Sequence, residues 1–248
     1  MSSEKCKRIP KSLLIKEKRR MTKVQYAQEY LGEFVEDWNQ FFPTKLIKER
    51  MTFIEWSIKE KIEGSRFYLG VDVARYGGDE NAFVICEMVN TKGKEKLKIV
   101  KCQTTERVST VDTIGRVVLL DGEYNFHKIF IDDAGVGGAV TDVLESRLGR
   151  KVMGLNNASK RVEVQGEEKK KGILKEDLYS NVLMLMEQGR LDLISDLSLL
   201  RSMQSITFEY NANNQNKVRI FGDYSHLCEG LVRSCWCLKE KGLEIYVY

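Results

Sequence analysis

The chain has 248 residues, of which 42% are hydrophobic and 31% are charged, with six cysteines and only two prolines. This composition fits one folded domain, or one domain plus an appendage, with enough residues to bury a core. The cysteines show neither CxxC pairs nor zinc-ligand spacing with histidine, which excludes a zinc ribbon and a disulfide framework. The net charge of +4 permits a polyanionic partner without requiring one.

Membrane and secretory classes are excluded by the distribution of apolar residues. No apolar run approaches the roughly 18 residues of a membrane span. Met1 is followed by charged residues rather than by the apolar core of a signal peptide. We therefore expect a cytoplasmic protein whose cysteines are reduced thiols.

Residues 1–62 are predicted to form a helical segment ahead of the main domain, which we assign to residues 63–248. Tyr26, Tyr30, Phe34 and Trp38 recur at steps of four, as in an amphipathic helix. Packing of this stripe against the body of the chain is the simpler interpretation. The alternatives are a helix that binds a partner and a linker from an upstream domain.

The first strand of the main domain carries an unusual carboxylate. Residues 67–74 alternate, with Leu69, Val71 and Val73 on one face and Asp72 on the other. A turn rich in Gly, Asp and Asn follows at 75–81, and 82–89 is apolar again, which predicts a hairpin. Aspartate is depleted in strands, so Asp72 is either a solvent-facing edge residue or a functional group at the end of the sheet.

The next elements change from antiparallel to alternating strand and helix. Residues 95–104 are predicted to form a third strand after a short lysine-rich turn, and 109–121 a helix capped by Ser109 or Thr110. Residues 127–132 then form a strand that ends at Asp132 and Asp133, before AGVGG and a helix at 140–148. The glycines resemble a dinucleotide-binding turn, but the third glycine is missing and two carboxylates would repel a pyrophosphate. A cation is the better ligand for this strand end.

The last third of the chain contains a polar loop, a hairpin and two helices. A strand is predicted at 151–156, a helix at 174–188 closed by Gly189, an extended stretch at 190–194, and a hairpin from 205–210 and 217–221. The loop at 159–175 is rich in lysine and is either solvated or in contact with a nucleic-acid backbone. The helix at 224–238 places His226, Glu229 and Arg233 on one face, so that an imidazole and a carboxylate lie one turn apart.

This order of elements predicts an α/β protein with an RNase H-like mixed sheet, in which three antiparallel strands precede parallel ones and helices flank the sheet. The active site of that fold needs carboxylates on the first strand, at the end of the fourth and on the final helix. Asp72, Asp132 and Glu229 occupy these positions. Such a cluster suits two divalent cations about 4 Å apart, which activate a water and stabilise the leaving 3′ oxygen.

The chain resembles the nuclease domain of the large terminase subunit of tailed-phage DNA-packaging motors. The segment VQYAQEYLGEFVED is similar to the family's link between its ATPase and nuclease, and YLGVDVARYGGDENAFVI to its first hairpin. KIFIDDAGVGGAVTDVL is similar to its second acidic motif, GILKEDLYSNVLMLMEQGRLDL to its late helix and strand, and YSHLCEGLVRS to its third motif. The resemblance covers nearly the whole chain.

This resemblance implies roles for individual residues. Asp72, Asp132 and Glu229 would bind two Mg²⁺ or Mn²⁺ ions, with His226 beside them, although the family usually has aspartate where this chain has Glu229. The supporting candidates, in order of position, are Asp79, Asp133 and Asp223, of which Asp223 is the next candidate for the third acid. Contacts to double-stranded DNA are assigned to basic residues of the polar loop, namely Lys160, Arg161, Lys169, Lys170, Lys171 and Lys175.

The implied activity is that of a metal-dependent DNA endonuclease with little sequence specificity, which cuts concatemeric viral DNA during packaging in the host cytoplasm. No G-x-x-x-x-G-K-[ST] motif occurs, so an ATPase domain is expected outside this chain. The resemblance also implies a portal and a small terminase subunit as partners. The isolated domain is expected to be monomeric.

Two alternatives remain open on the sequence, and a third does not fit it. An RNase H-like resolvase or transposase would share the acids but should carry its own DNA-binding module, which we do not find. A catalytically inactive domain for DNA binding or motor docking would share the fold. An actin-like phosphotransferase also begins with a hairpin aspartate, but the chain lacks the second phosphate motif and the length.

Overall fold

The computed structural model describes residues 10–14, 30, 39–74, 80–91, 93–161, 173–211, 214–239 and 246–247. The chain divides into two units, Met1–Gln40 and Phe41–Tyr248. In the first unit, residues 11–14 form one turn of helix. Tyr26, Phe34 and Trp38 of the predicted aromatic stripe lie outside the described residues.

The second unit contains a seven-stranded mixed sheet. Its strands are β1 (Met51–Phe53), β2 (Arg66–Asp72), β3 (Glu80–Thr91), β4 (Lys94–Glu106), β5 (Lys128–Asp132), β6 (Val152–Leu155) and β8 (Leu191–Ile194). Their order across the sheet is β1-β8-β4-β3-β2-β5-β6. Strands β2, β3 and β4 pair antiparallel, whereas β5 and β6 continue from β2 in parallel and β8 and β1 continue from β4 in parallel. Three antiparallel strands followed by parallel ones confirm the predicted sheet.

Two short sheets stand apart from the main one. The hairpin pairs β9 (Thr207–Asn211) with β10 (Asn214–Phe221), as the sequence predicted. A small antiparallel pair joins β7 (Lys160–Arg161) to β11 (Tyr246–Val247).

Helices cover both faces of the sheet, each over a hydrophobic core. They are α1 (Thr44–Arg50), α2 (Thr110–Tyr124), α3 (Val136–Leu148), α4 (Leu174–Glu187), α5 (Leu197–Gln204) and α6 (His226–Ser234). One core joins α2 and α3 to the face of β2 that carries Leu69 and Val71. The other joins α1, α4, α5 and α6 to the opposite face, which also carries Asp72. The alternation in β2 therefore directs Asp72 to the side of the final helix.

Several elements agree with the predictions and some differ. Ser109 caps α2 in a capping box with Asp112, and Gly189 has a positive φ of 67° after α4. Helix α3 begins earlier than predicted, at Val136, because Gly137 has no Cβ to overlap the carbonyl oxygen of Asp132. The predicted last helix consists of α6 followed by a 3-10 turn, Cys235–Leu238. Strand β1 and helix α5 were not predicted.

The second unit starts within the segment that the sequence assigned to a linker. Phe42 and Ile47 are fully buried in the core under α4 to α6, and β1 extends the main sheet beside β8. Residues 41–62 therefore contribute to the folded unit. Whether residues 1–62 also link to an upstream domain stays a prediction. Among the described helices, none is long and apolar enough to cross a membrane.

Two glycines, Gly70 and Gly230, allow α6 to pack close to the sheet. A Cβ at Gly70 of β2 would overlap the carbonyl oxygen of Gly230 in α6 and lie 2.5 Å from the backbone nitrogen of Ser234. We expect Gly70→Ala to destabilise the protein by about 3 kcal/mol, because both clashing groups are backbone and cannot rotate away. Urea unfolding followed by circular dichroism measures this loss.

The matched control is Gly115→Ala in the interior of α2, where an added Cβ meets nothing within 4 Å. This variant should gain about 0.5–1 kcal/mol from the better helix propensity of alanine. Equal unfolding midpoints for Gly70→Ala and the parent would show that α6 can move away from β2.

Candidate active site

Three neighbouring parallel strands deliver polar side chains to one edge of the sheet. Asp72 is the last residue of β2, Asp132 is the last residue of β5, and Asn157 follows the end of β6. The register pairs Val71 with Ile131, so the two aspartates that follow occupy adjacent positions. Carboxyl ends of parallel strands are the usual ligand sites of open α/β sheets.

Asp72 is paired with the histidine of the final helix. The Nδ1 atom of His226 lies 2.8 Å from Oδ2 of Asp72, and Asp72 is only 7% exposed whereas the histidine is half-buried. The contact joins the first residue of α6 to the end of β2 across 154 positions of sequence. It places His226 beside Asp72.

Glu229 lies one turn along α6 and is surrounded by hydrogen-bond donors. Its Oε1 accepts a bond from the Tyr179 hydroxyl at 2.8 Å and lies 3.1 Å from Nζ of Lys175. Its Oε2 accepts bonds from Nη1 of Arg233 at 2.7 Å and from Nδ2 of Asn157 at 3.1 Å. Burial by itself raises the pKa of Glu229, but Arg233, Lys175 and these hydrogen bonds lower it to about 2.

Arg233 connects Glu229 to Asp132. Its side chain is fully buried, and Nη2 lies 2.9 Å from Oδ1 of Asp132. This contact is an ion pair without the alignment of a hydrogen bond, since Nη2 and Nε have no hydrogen-bond acceptor among the described residues. The pKa of Asp132 is raised, because burial and the neighbouring Asp72 and Glu229 carboxylates outweigh the attraction of Arg233.

Asp72, Asp132, Glu229 and His226 thus come together in the structure, as the sequence predicted. Asp133 lies nearby but contacts Gly154 of β6, where an added Cβ would come within 3.0 Å of its carboxyl group. Asp223 is exposed in the turn before α6. Asp79 lies outside the described residues.

The residues assigned to DNA contact are only partly described. Lys160 is exposed on β7, and Arg161 follows it in the same strand. Lys175 lies against Glu229 and over the Tyr179 ring, with Nζ 5.5 Å from the ring centroid. Lys169, Lys170 and Lys171 lie outside the described residues, so their assignment to DNA stays a prediction.

The sequence does not identify three partners of Glu229. The prediction gives Tyr179 and Asn157 no role at the acid site, and it assigns Lys175 to DNA instead. The spacing of Glu229 and Arg233, one helical turn apart with the acid first, is a favourable ion-pair pattern and a usable signal. Tyr179 looks like any core aromatic residue and offers no such signal.

A divalent ion fits part of this cluster. Among the described residues, the hydrogen bond to Asp72 and the contacts to Asp132 each reach a single carboxylate oxygen, which leaves each group a second oxygen for an ion. Mg²⁺ is commonly held by one or two carboxylates together with water and phosphate. Glu229 fits less well, because both of its oxygens already have donors. In the part of the chain that the structure describes, no three His, Cys, Asp or Glu side chains are arranged to hold a metal ion.

Large terminase subunits of two Thermus phages are similar to this chain in sequence. No family model matches the chain. The large terminase subunit of Thermus virus P23-45 is 22% identical over 203 residues, which are 80% of this chain and 38% of that protein. The large terminase subunit of Thermus phage G20c is 21% identical over the same shares. The chain therefore spans 38% of the length of the curated relatives it matches.

Solved structures of terminase nucleases share the fold. The large terminase nuclease of thermophilic phage G20c superposes with a TM-score of 0.58 at 17% identity, covering 79% of this chain and 97% of that one. Structures of that nuclease with bound magnesium, cobalt and zinc also match. The large terminase nuclease domain of Thermus phage P74-26 superposes with a TM-score of 0.56 at 15% identity, covering 85% of this chain and 100% of that one. The comparisons confirm the resemblance, and the chain has the RNase H-like fold of a large terminase nuclease domain.

Proposed function

We propose that this chain is a divalent-metal-dependent endonuclease that cuts double-stranded DNA during the packaging of a viral genome. The observation that carries the proposal is the placement of Asp72 and Asp132 on adjacent parallel strand ends, with His226 in contact with Asp72. The similarity to large terminase subunits and the metal-bound structures of the G20c nuclease support it.

The site offers residues for the two requirements of phosphodiester hydrolysis, metal binding and proton transfer. Asp72 and Asp132 would hold Mg²⁺ or Mn²⁺, which would supply positive charge for the attacking water and the phosphate. Water attacks phosphorus and gives up a proton, the bond from phosphorus to the 3′ oxygen breaks, and that oxygen takes up a proton, which gives a 5′-phosphate and a 3′-hydroxyl. The contact with Nδ1 of His226 holds Asp72 in one orientation, and the imidazole is the group suited to proton transfer near neutral pH.

The test is nicking of a supercoiled plasmid by the purified chain with Mg²⁺, with Mn²⁺ and with EDTA. We expect nicked and linear DNA with either ion and intact plasmid with EDTA. A catalytically inactive docking domain is the second candidate, favoured by the occupied oxygens of Glu229. Intact plasmid under all conditions, with no Mn²⁺ bound, would establish that candidate instead.

The histidine should affect turnover more than metal binding. We expect His226→Ala to lower the cleavage rate by about 10²-fold, the scale of one general acid or base, while calorimetric Mn²⁺ affinity stays nearly unchanged. The chain offers a matched control in its only other histidine, His127, which lies against the Tyr68 ring at the end of β5 opposite to Asp132. Joint loss of rate and Mn²⁺ binding in His226→Ala would instead make His226 a ligand.

DNA binding is proposed to depend on phosphate contacts by the lysine-rich loop at 159–175. Replacing Lys169, Lys170 and Lys171 by alanine should reduce the slope of log affinity against log salt by about 0.9 for each phosphate that is no longer neutralised. Fluorescence anisotropy of a labelled duplex over a range of NaCl concentrations measures the slope. Lys61→Ala is the control, because Lys61 lies over Phe67 at the opposite end of β2 from Asp72. An unchanged slope would remove the loop from the interface.

The place of the chain in a larger assembly is also a proposal. Because the chain spans 38% of its curated relatives, we propose that an ATPase domain precedes it and that residues 1–62 include the link. A large terminase from another thermophilic bacteriophage, which matches over 54% of its length with a TM-score of 0.58 at 12% identity, has been solved in complex with ATP-gamma-S. A portal and a small terminase subunit in the host cytoplasm complete the proposed machinery.

A further inference from the structure

The third acid of the site is already neutralised by the protein. Glu229 is 5% exposed, and its two oxygens have four donors, two of which are the cations Arg233 and Lys175. A divalent ion at Glu229 would have to displace donors that are themselves buried or held in place. The structure therefore separates the three acids into an available pair, Asp72 and Asp132, and one engaged carboxylate.

We infer that Arg233 supplies the positive charge that a second metal ion would otherwise bring, and that the site holds a single divalent ion between Asp72 and Asp132. This inference rests on the proposed metal-dependent nuclease function and defines its metal requirement. It replaces the three-acid, two-ion arrangement that the sequence suggested. Glu229 then acts by fixing Arg233.

The charge of the cluster agrees with one ion. Arg233 and Lys175 offset two of the three negative charges of Asp72, Asp132 and Glu229, so the cluster attracts divalent ions less strongly than three unpaired carboxylates would. A second ion between Glu229 and Asp132 would have to displace the guanidinium group or be repelled by it, because Nη1 is 2.7 Å from Oε2 of Glu229 and Nη2 is 2.9 Å from Oδ1 of Asp132. Complete burial of Arg233 removes the water that would screen this repulsion.

The contacts of Asp132 show how Arg233 would act as a positioning residue. Nη2 of Arg233 and the backbone N–H of Ala134 both approach Oδ1, at 2.9 and 3.3 Å. Asp132 is thereby held with Oδ2 as the oxygen for an ion. In the same way, His226 contacts Oδ2 of Asp72, and within the described ranges Oδ1 is left for an ion. Two oriented oxygens, completed by water and a substrate phosphate, match the ligand set that Mg²⁺ accepts.

The number of ions can be measured directly on the whole chain. Mn²⁺ is titrated calorimetrically, without DNA and with a phosphorothioate duplex that resists cleavage, and the electron paramagnetic resonance spectrum of each complex is recorded. Two ions about 4 Å apart would be magnetically coupled. We expect one Mn²⁺ per chain and the spectrum of an isolated ion in both conditions.

Variants distinguish a positioning role from a structural one. Glu229→Gln should still bind one Mn²⁺ with less than about a threefold change in affinity, whereas a three-acid site would lose a bound ion. Arg233→Met should free Glu229 and Asp132 and allow a second Mn²⁺ to bind. Arg233→Lys, which keeps the charge, should bind one. Asp142→Asn on the exposed side of α3 is the control and should match the parent.

The outcomes separate this inference from the proposed function. Two coupled Mn²⁺ ions in the parent overturn the inference, even if the plasmid is cut. One isolated ion in the parent supports it, even if the plasmid stays intact and the proposed function fails. The number of ions is measured on the parent chain, so the test remains decisive even if a variant of Arg233 does not fold.

Discussion

Replacement of Asp72 by asparagine is expected to abolish cleavage while leaving the fold intact. Asparagine has nearly the same shape, can still bond to His226, and removes the negative charge that an ion needs. Losing a group that stabilises charge in the transition state costs on the order of 10³-fold in rate, and we expect at least this loss. Plasmid nicking in Mn²⁺, together with calorimetric Mn²⁺ binding, measures both effects.

The control for Asp72→Asn is Asp223→Asn, because Asp223 is an exposed carboxylate in the turn before α6. It should cut at the parent rate. Thermal unfolding of both variants verifies that the loss of activity is not a loss of structure. Full cleavage by Asp72→Asn in the presence of metal would show that Asp72 is outside the active site. If Asp223→Asn then loses cleavage, Asp223 is the ligand.

Replacement of Arg233 by alanine is expected to have the largest effect on stability. Arg233 is fully buried between Glu229 and Asp132, so its removal leaves two carboxylates in a poorly solvated site without their shared cation. Breaking a buried ion pair from one side costs about 3–5 kcal/mol. For a domain of this size, that loss corresponds to a fall in Tm of roughly 10 °C, which differential scanning calorimetry measures.

Two further variants test the cause of this loss. Arg147→Ala removes an exposed arginine near the end of α3 and should stay within about 0.5 kcal/mol of the parent. The double variant Glu229→Gln with Arg233→Met removes both charges and should recover much of the stability, because replacing a whole buried pair costs less than breaking it. A double variant as unstable as the sum of the single ones would show that packing, rather than charge, explains the loss.

Much of the fold could be predicted because local patterns report it. The alternation of Leu69, Val71 and Asp72 identified the strand and the face of each residue, and the capping residue Ser109 marked the start of α2. Strand β1 and helix α5 were missed, since β1 has three residues and α5 has eight, too few for a clear period. Their positions depend on neighbouring strands and helices.

The meeting of Asp72 and Asp132 could be expected once the order of elements indicated an RNase H-like sheet. Each aspartate ends a strand, and in a parallel pair such ends lie side by side. Helical spacing put His226 and Glu229 on one face of the last helix, and their place beside the two aspartates came from the expected fold and the resemblance to terminase nuclease domains.

The contacts of Glu229, in contrast, depend on how distant elements pack together. Tyr179 and Asn157 are 50 and 72 positions away from it in sequence, and they reach Glu229 because α4 packs beside α6 and β6 ends beside β5. Periodicity shows which face of a helix is buried, but not which side chains from other elements meet it there. The engagement of Glu229 by Tyr179 and Asn157 is therefore a property of the packing, set by distances that no local pattern contains, whereas its pairing with Arg233 follows the i, i+4 spacing within α6.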